Sequence, residues 1–389
     1  MNIPGKIKDE EKLLLGLCRL EFNGEQKALL AVLSEKINNW EYFANLATMH
    51  GVSALAFDNL EKNGLIKFVP TETAGRLKAA MLKSIGRNVF LTEAITEVLR
   101  LLNENDIKTV LLKGMALEKS IYGNRGLRQM NDVDILIQRE QCLKARNILI
   151  HNGFVSLPVK SVFHRIILDH IGKHLPSLLK NGASIEIHHG LFTESLHSLT
   201  TRLYNESKEI SVNGEKAFLP QPMLFFLYLV RHLEKHELNN ESQLRLYTDL
   251  VTMIEKHSDE IINYNLLALA SHSDMDQIIA GHLHALREFW SMQFPGWLDE
   301  FIEKWNPSGT TERFMFFLRS PKNELTEKKG AYRQVIKEIT GIHRKIIFVL
   351  GDMFPTFSFM QKRYKCSRRW EVILYYPHRL GKLWWLLGK

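Results

Sequence analysis

Apolar residues recur three and four positions apart through residues 10–104, which is the period of an amphipathic helix. The segments that show it best are EQKALLAVLSEKI and TETAGRLKAAMLKSIGRNVFLTEAITEVLRLLNEN. The same period returns from about Pro222 and continues as far as residue 340. The pattern predicts two helical blocks, one on either side of a central segment with a different period.

The central segment has the pattern of strands that alternate with helices. IKTVLLK (107–113) predicts a buried strand that ends at Gly114, followed by a short helix, MALEKSIYG. DVDILI (132–137) predicts a second strand, and REQCLKARNILIHNGF predicts the next helix. HLPSLLKNGASIEIHHG predicts a hairpin that turns at Asn181 and Gly182. The order predicts an α+β fold, with a small α/β core and a mixed sheet between N-terminal and C-terminal helical blocks.

These changes of period also predict the domain boundaries. Residues 1–104 form an N-terminal helical region, residues 105–215 the α/β core, residues 216–340 a helical domain, and residues 341–389 a basic, aromatic C-terminal segment.

Composition adds a charge asymmetry to this picture. The 389 residues are 45% hydrophobic and 24% charged, which is typical of a globular protein and excludes disorder as the default. The net charge is +8, and residues 341–389 hold ten Lys and Arg against two acids, which equals the whole excess. A basic balance favours anionic partners. The C-terminal segment also holds ten aromatic residues, so it predicts binding to nucleic acid, binding to an anionic membrane surface, or simple packing on the rest of the chain.

Cysteine usage and hydropathy predict a cytoplasmic location. Cys18, Cys142 and Cys366 are far apart and form no CxxC pair, which favours a reducing compartment. Acids near the N-terminus are wrong for a signal peptide, and the longest apolar run, MLFFLYLV, is too short to span a bilayer. We therefore expect no transmembrane segment.

The chemistry of the chain centres on carboxylates in the strands. Alternation puts Asp132 and Asp134 on one face of their strand, where they repel each other unless a cation binds both. In SIEIHHG the same alternation puts Glu186 and His188 on one face. If the two strands are neighbours, Glu186 is the third acid of a site for Mg²⁺, or Mn²⁺ in its place. Two such ions and three carboxylates suit phosphoryl or nucleotidyl transfer.

Basic and glycine residues upstream predict the phosphate-binding part of the site. Lys113 and Gly114 end a strand before a helix, where free backbone N–H groups can bind phosphate. Arg125 and Arg128 follow and can hold phosphate oxygens. His188 either contacts a phosphate or is a hydrogen-bonded structural histidine.

The segment VLLKGMALEKSIYGNRGLRQMNDVDILI resembles the signature of the uncharacterised nucleotidyltransferase family, a branch of the polymerase-β-type nucleotidyltransferase superfamily. WEYFANLATMHGVSALAF, IEIHHGL, FLPQPMLFFLYLVRH and LRLYTDLVTMI are similar to other blocks of that family, so the resemblance covers roughly residues 38–256. It implies a nucleotidyltransferase-like core in which Asp132, Asp134 and Glu186 hold two Mg²⁺. Two departures are Lys113-Gly114 in place of the superfamily's Gly-Ser, and Glu186 where many relatives have Asp.

The leading functional prediction is an Mg²⁺-dependent enzyme that moves NMP from an NTP such as ATP to an acceptor hydroxyl on a small molecule, RNA or protein. Its catalytic and metal residues are Asp132, Asp134 and Glu186. Lys113, Gly114, Arg128 and His188 bind the nucleotide. The alternatives are an inactive, antitoxin-type binding module with this fold and, with less support, a metal-dependent glycosyltransferase whose D-x-D binds a nucleotide sugar.

Two other sets of polar residues are predicted to be structural. His232 and His236 have a spacing that suits zinc, but HLEKH is not H-E-x-x-H and no cysteines accompany it. Asp249 lies in an apolar helical pattern, which predicts a buried polar contact.

Overall fold

The computed structural model of the chain describes residues 7–123, 126–192, 196–238, 243–319, 336, 339, 341–368 and 370–387, with the backbone alone at 379, 380 and 382–387. The helices described are α1 Asp9–Leu17, α2 Gly24–Lys36, α3 Trp40–Met49, α4 Ser53–Lys62, α5 Thr71–Asn103, α6 Lys113–Ser120, α7 Arg139–His151, α8 Val162–Ile166, α9 His197–Asn205, α10 Pro222–Leu238, α11 Leu244–Lys256, α12 Ser258–Ile261, α13 Tyr264–His272, α14 Asp276–Trp290, α15 Gly296–Trp305, α16 Thr310–Arg319, α17 Ile342–Met353, α18 Phe357–Tyr364 and α19 Glu371–Leu387. The strands described are β1 Val110–Leu111, β2 Val133–Leu136, β3 Val155–Ser156, β4 Leu178–Lys180, β5 Ala183–His188, β6 Lys208–Val212 and β7 Glu215–Leu219.

The chain folds into two compact units, and each is discontinuous in sequence. The first unit comprises Met1–Glu93, Lys113–Asn131 and Pro220–Glu324. The second unit comprises Ala94–Leu112, Asp132–Leu219 and Leu325–Lys389. The three stretches of each unit must therefore fold together.

The first unit is helical, and buried polar side chains join its helices. Asn59 of α4 donates hydrogen bonds to the backbone oxygens of Leu17 and Arg19. The Arg19 guanidinium, 5% exposed, donates to the backbone oxygen of Trp290 at the end of α14. These bonds satisfy carbonyl groups that a helix end leaves without an intrahelical donor.

The second unit contains a mixed seven-stranded sheet in the order β3-β4-β5-β2-β1-β7-β6. The pairs β2 with β5 and β1 with β7 are parallel, and the other neighbours are antiparallel. The helical blocks and the α+β class predicted from the sequence are thus confirmed. Most of residues 320–340, the end of the predicted helical domain, lie outside the described residues.

Two hairpins show why these short strands form where they do. The predicted turn between β4 and β5 is confirmed, with positive φ of 49° at Asn181 and 88° at Gly182. A second hairpin, β6 with β7, was not predicted and turns at Asn213 and Gly214 with φ of 50° and 88°. Both are Asn-Gly pairs, the residues that most readily adopt positive φ in a two-residue hairpin turn.

The predicted strand over residues 107–113 is shorter than expected. Only Val110 and Leu111 form strand β1, and Lys113 is already the first residue of α6. The second strand begins at Val133, one residue after Asp132. The apolar run before Gly114 correctly predicted a buried segment. Hydrophobicity alone does not show where hydrogen bonding to the neighbouring strand ends.

The C-terminal segment belongs to the second unit. Phe348 of α17 packs with Ile167 and Ile339, and the buried Asp352 is ion-paired with Lys160. Tyr364 and Tyr375 stack with ring centroids 4.3 Å apart. Part of the aromatic content therefore packs within the protein. Among the helices that the structure describes, none combines the length and apolarity needed to cross a membrane.

Candidate functional site

Strands β2 and β5 bring two carboxylates together in the middle of the sheet. They pair in parallel with Asp134 opposite Glu186, so these two side chains emerge on the same face. Val133 and Ile135 of β2 are fully buried and point to the opposite face. The condition set by the sequence, that the two acidic strands be neighbours, is met.

His188 lies on the same face and completes a group of three. Its Nε2 is 2.7 Å from Asp134 Oδ1 and 3.7 Å from Glu186 Oε2. One ligand atom from each of Asp134, Glu186 and His188 lies within 4.8 Å of the others. The side chains of Asp134 and His188 are 4% and 6% exposed, and that of Glu186 is 20% exposed.

This group has the negative charge and the ligand atoms needed to hold a divalent cation. Two carboxylates at this separation repel each other, and burial strengthens the repulsion because little water screens them. A proton on His188 offsets one charge, and a cation offsets both. The oxygens of Asp134 and Glu186 fit Mg²⁺, which prefers oxygen ligands, while the His188 nitrogen suits Mn²⁺ or a hydrogen bond to phosphate.

Asp132 lies directly before β2 and is half-buried. It is not a member of the group of three defined above. Because it precedes the ladder by one residue, strand pairing does not fix its side chain as it fixes that of Asp134. Its place in a metal site stays a prediction.

Neighbouring polar residues that the sequence did not single out support the group. The Ser177 hydroxyl, just before β4, donates to Glu186 Oε1 at 3.0 Å. The rings of His174 and His188 are 5.2 Å apart. Their signal in the sequence was weak, since they are isolated polar residues in the segment HLPSLLK before the Asn-Gly hairpin.

His189 points away from the acids, as alternation predicts. It is 1% exposed, and neither ring nitrogen has a hydrogen-bond partner among the described residues. Burial, followed by the charge of Arg139, lowers the pKa of His189 from 6.5 to about 3. It is a neutral core residue at physiological pH.

Lys113 has an unusual backbone for a residue with a side chain. Its φ is 42°, in the left-handed region that favours glycine. This conformation costs on the order of 1–3 kcal/mol and persists only where the surroundings impose it. The sharp passage from β1 into α6 is therefore made without glycine, the residue that suits it best.

Gly114 and Arg128, both of the first unit, are in close contact. A Cβ atom on Gly114 would lie 2.5 Å from Arg128 Nη1 and 2.8 Å from Met130 Cγ. Arg128 is 7% exposed, and its Nε and Nη2 donate to the Asp249 carboxylate at 2.8 and 2.7 Å. The Tyr122 hydroxyl also donates to Asp249. The prediction that Asp249 makes a buried polar contact is confirmed.

Lys113, Gly114 and Arg128 belong to the first unit, and the three acids and His188 belong to the second. The structure therefore brings together Asp134, Glu186 and His188, and within the other unit Gly114 and Arg128. Arg125 lies outside the described residues.

The chain resembles a known family in its sequence. The sequence profile of a family described as uncharacterised nucleotidyltransferase matches residues 37–291. A solved structure, an antigenic nucleotidyltransferase-like protein from Paracoccidioides brasiliensis, is 15% identical and aligns with a TM-score of 0.33 over 57% of this chain and 95% of that chain. No curated protein matches the sequence.

Proposed function

The chain belongs to the uncharacterised nucleotidyltransferase family, and from that premise we propose that it transfers NMP from an NTP to an acceptor hydroxyl in the presence of Mg²⁺. The observation that carries the proposal is the in-register pairing of Asp134 with Glu186. A sheet that sets two acids and a histidine side by side, at a position matched by this family, suits the binding of a metal–nucleotide complex.

The proposed reaction is a displacement at the α-phosphorus. The acceptor oxygen forms a bond to that phosphorus, the bond to the β-phosphate bridging oxygen breaks, and pyrophosphate leaves with its electron pair. The hydroxyl proton passes to Glu186 Oε2 or to solvent. When bound, Mg²⁺ supplies charge neutralisation for the triphosphate and lowers the pKa of the acceptor hydroxyl.

Within this proposal each residue of the second unit has a role. Asp132, Asp134 and Glu186 bind the metal ions through their carboxylate oxygens. His188 holds the Asp134 carboxylate in place and, when protonated, donates to a phosphate oxygen. Ser177 holds Glu186 by its hydrogen bond.

The triphosphate contacts of Lys113, Gly114 and Arg128 are part of the same proposal and rest on the sequence. Arg128 is held by Asp249 through Nε and Nη2, which fixes the plane of its guanidinium. Because Gly114 has no side chain, Arg128 Nη1 can lie close to α6.

Label transfer tests the proposal. The purified chain is incubated with each α-³²P-labelled NTP and Mg²⁺ or Mn²⁺, with total RNA, a small-molecule extract or the protein alone as acceptor. We expect label in one acceptor fraction. Because each removes an anionic ligand of the proposed metal ions, Asp134→Asn and Glu186→Gln should lower the rate on the order of 10²–10³-fold.

Glu209→Gln is the matched control for Glu186→Gln. Glu209 lies in β6 of the same sheet, and its side chain is 58% exposed and paired with Lys216. It should transfer label at the parent rate. Label transfer by Asp134→Asn at the parent rate would refute the site. Binding of a non-hydrolysable NTP with no transfer to any acceptor would favour the inactive binding module.

The C-terminal segment and the location of the protein are part of the same proposal. The basic and aromatic residues of 341–389 that do not pack within the protein are proposed to bind nucleic acid or an anionic membrane surface. Filter binding tests the first and vesicle flotation tests the second. The cytoplasmic location rests on cysteine usage; Cys18, Cys142 and Cys366 are all buried and free.

A further inference from the structure

Three metal-ligating side chains converge in the first unit, in a group separate from the acids of the sheet. Glu234 and Glu237 lie one turn apart on α10, and His282 lies on α14. One ligand atom from each of the three lies within 4.8 Å of the others. The proposed nucleotidyl transfer uses none of them.

His282 is buried and the two glutamates are partly buried, which distinguishes the group from an ordinary surface cluster. The side chains of His282, Glu237 and Glu234 are 2%, 7% and 12% exposed. Two carboxylates withdrawn from water in this way cost free energy unless positive charge or hydrogen bonds compensate them. The compensation that the described residues offer is incomplete. His282 Nε2 and Glu237 Oε2 are both buried without a hydrogen-bond partner.

A tyrosine fixes which nitrogen of His282 carries the proton. The Tyr247 hydroxyl donates its hydrogen to Glu237 Oε1, so its oxygen is left to accept. His282 Nδ1 lies 3.3 Å from that oxygen and is therefore assigned as the donor. The neutral ring then has its lone pair on Nε2.

That lone pair points at a negative group. His282 Nε2 lies 3.3 Å from Glu234 Oε2. Two lone pairs at this distance repel, so either a proton on Nε2, which pairs the ring with Glu234, or a metal ion must lie between them. The Arg313 guanidinium is 3.9 Å from Glu237 Oε2, on a side chain that is 46% exposed. The pKa of Glu234 is lowered chiefly by His282 and to a smaller extent by Arg313 and Arg231, so these arginines also act on Glu234.

We propose that Glu234, Glu237 and His282 form a binding site for one divalent transition-metal ion of the Zn²⁺ type. One imidazole nitrogen and two carboxylates are a ligand set that such ions accept, with a fourth position left for water. A metal-binding histidine characteristically donates its other ring N–H to an oxygen, as Nδ1 does here to Tyr247. The 3.3 Å between Nε2 and Oε2 also matches the spacing of about 3.3 Å between ligands of a tetrahedral ion with bonds of roughly 2.0–2.1 Å.

An ion at this site would link α10 to α14. Since its ligands come from both helices, it would bind the folded first unit and not the unfolded chain, and so would stabilise the fold in proportion to its concentration. The proposal does not depend on nucleotidyl transfer.

The test uses Zn²⁺ alone on the full chain, with Asp134→Asn and Glu186→Gln introduced to remove the carboxylates of the sheet. The protein is loaded with Zn²⁺, passed through gel filtration in excess Mg²⁺, and measured for zinc by mass spectrometry; affinity is measured by chelator competition. We expect one Zn²⁺ per chain. Adding Glu234→Gln should lower the affinity at least tenfold, because one anionic ligand is lost.

Tyr247→Phe keeps the ring and removes the hydroxyl that orients His282 and bonds to Glu237, so the affinity should fall about 10–100-fold. The matched control is Tyr122→Phe, which removes the hydroxyl of another buried tyrosine bonded to a carboxylate, Asp249, and should leave zinc binding unchanged. Circular dichroism checks that each variant is folded; if Glu234→Gln is not, Tyr247→Phe decides. The proposal would be overturned if the Asp134→Asn, Glu186→Gln parent retained no zinc. It would also be overturned if the folded Glu234→Gln and Tyr247→Phe variants bound zinc as tightly as that parent.

Discussion

The contact between Gly114 and Arg128 makes a sharp prediction about the variant Gly114→Ala. The new methyl group would lie 2.5 Å from Arg128 Nη1 and 2.8 Å from the Met130 side chain, closer than unbonded heavy atoms approach. Arg128 cannot swing away freely, because two of its nitrogens are held by Asp249 at 2.8 and 2.7 Å. Met130 is 2% exposed and must move within the core.

Two opposing effects decide the sign of the change. Replacing glycine by alanine in the middle of a helix raises the free energy of unfolding by about 0.5–1 kcal/mol. The gain is smaller at Gly114, because it is the second residue of α6. Forcing an extra carbon into a packed core costs about 1–3 kcal/mol. We expect the overpacking to win, with a net loss of about 1–2 kcal/mol in the free energy of unfolding.

Thermal and urea unfolding of the full chain measure this difference. The loss should lower Tm by roughly 2–8 °C. Gly86→Ala is the matched control, since Gly86 lies inside α5 with nothing within 4 Å of the added carbon. It should raise stability by about 0.5–1 kcal/mol. A Gly114→Ala protein as stable as the parent would refute the close approach of Arg128.

Two more predictions concern buried charge. Asp249→Ala leaves the buried Arg128 guanidinium without its partner and should cost about 3–5 kcal/mol in urea unfolding, whereas Asp249→Leu combined with Arg128→Met should cost far less; equal losses would argue against the ion pair. Because burial lowers the pKa of His189 to about 3, the unfolded chain binds a proton below pH 6.5 that the native protein does not. Stability should therefore fall by about 2 kcal/mol from pH 7.5 to pH 5, and His189→Leu should remove that part of the loss; an unchanged pH dependence would contradict it.

Much of the second unit could be predicted from the sequence because its signals are local. Alternation along β2 and β5 identified the apolar and acidic faces, and Asn181-Gly182 identified the hairpin. The Asn213-Gly214 hairpin carries the same turn signal, but its strands are largely polar, so hydrophobicity did not draw attention to it.

The remaining features depend on contacts between residues distant in sequence. Spacing on α10 drew attention to His232 and His236, whereas the metal-ligating group of that helix pairs Glu234 and Glu237 with His282, more than forty residues away. Likewise, nothing near Arg128 in the sequence indicates that Asp249 holds it. Alternation gives the face of a side chain, and only tertiary packing gives its partner.

The in-register pairing of β2 with β5 also sets limits on how this chain can vary in length. Residues inserted between the two strands extend connections that run over the surface, where longer loops cost little. Deletion of Val133 would instead turn Asp134 and every later side chain of the strand to the opposite face. Asp134 and Glu186 would then be separated by the thickness of the sheet. Length changes in this protein should be tolerated in the connections and excluded from strand β2.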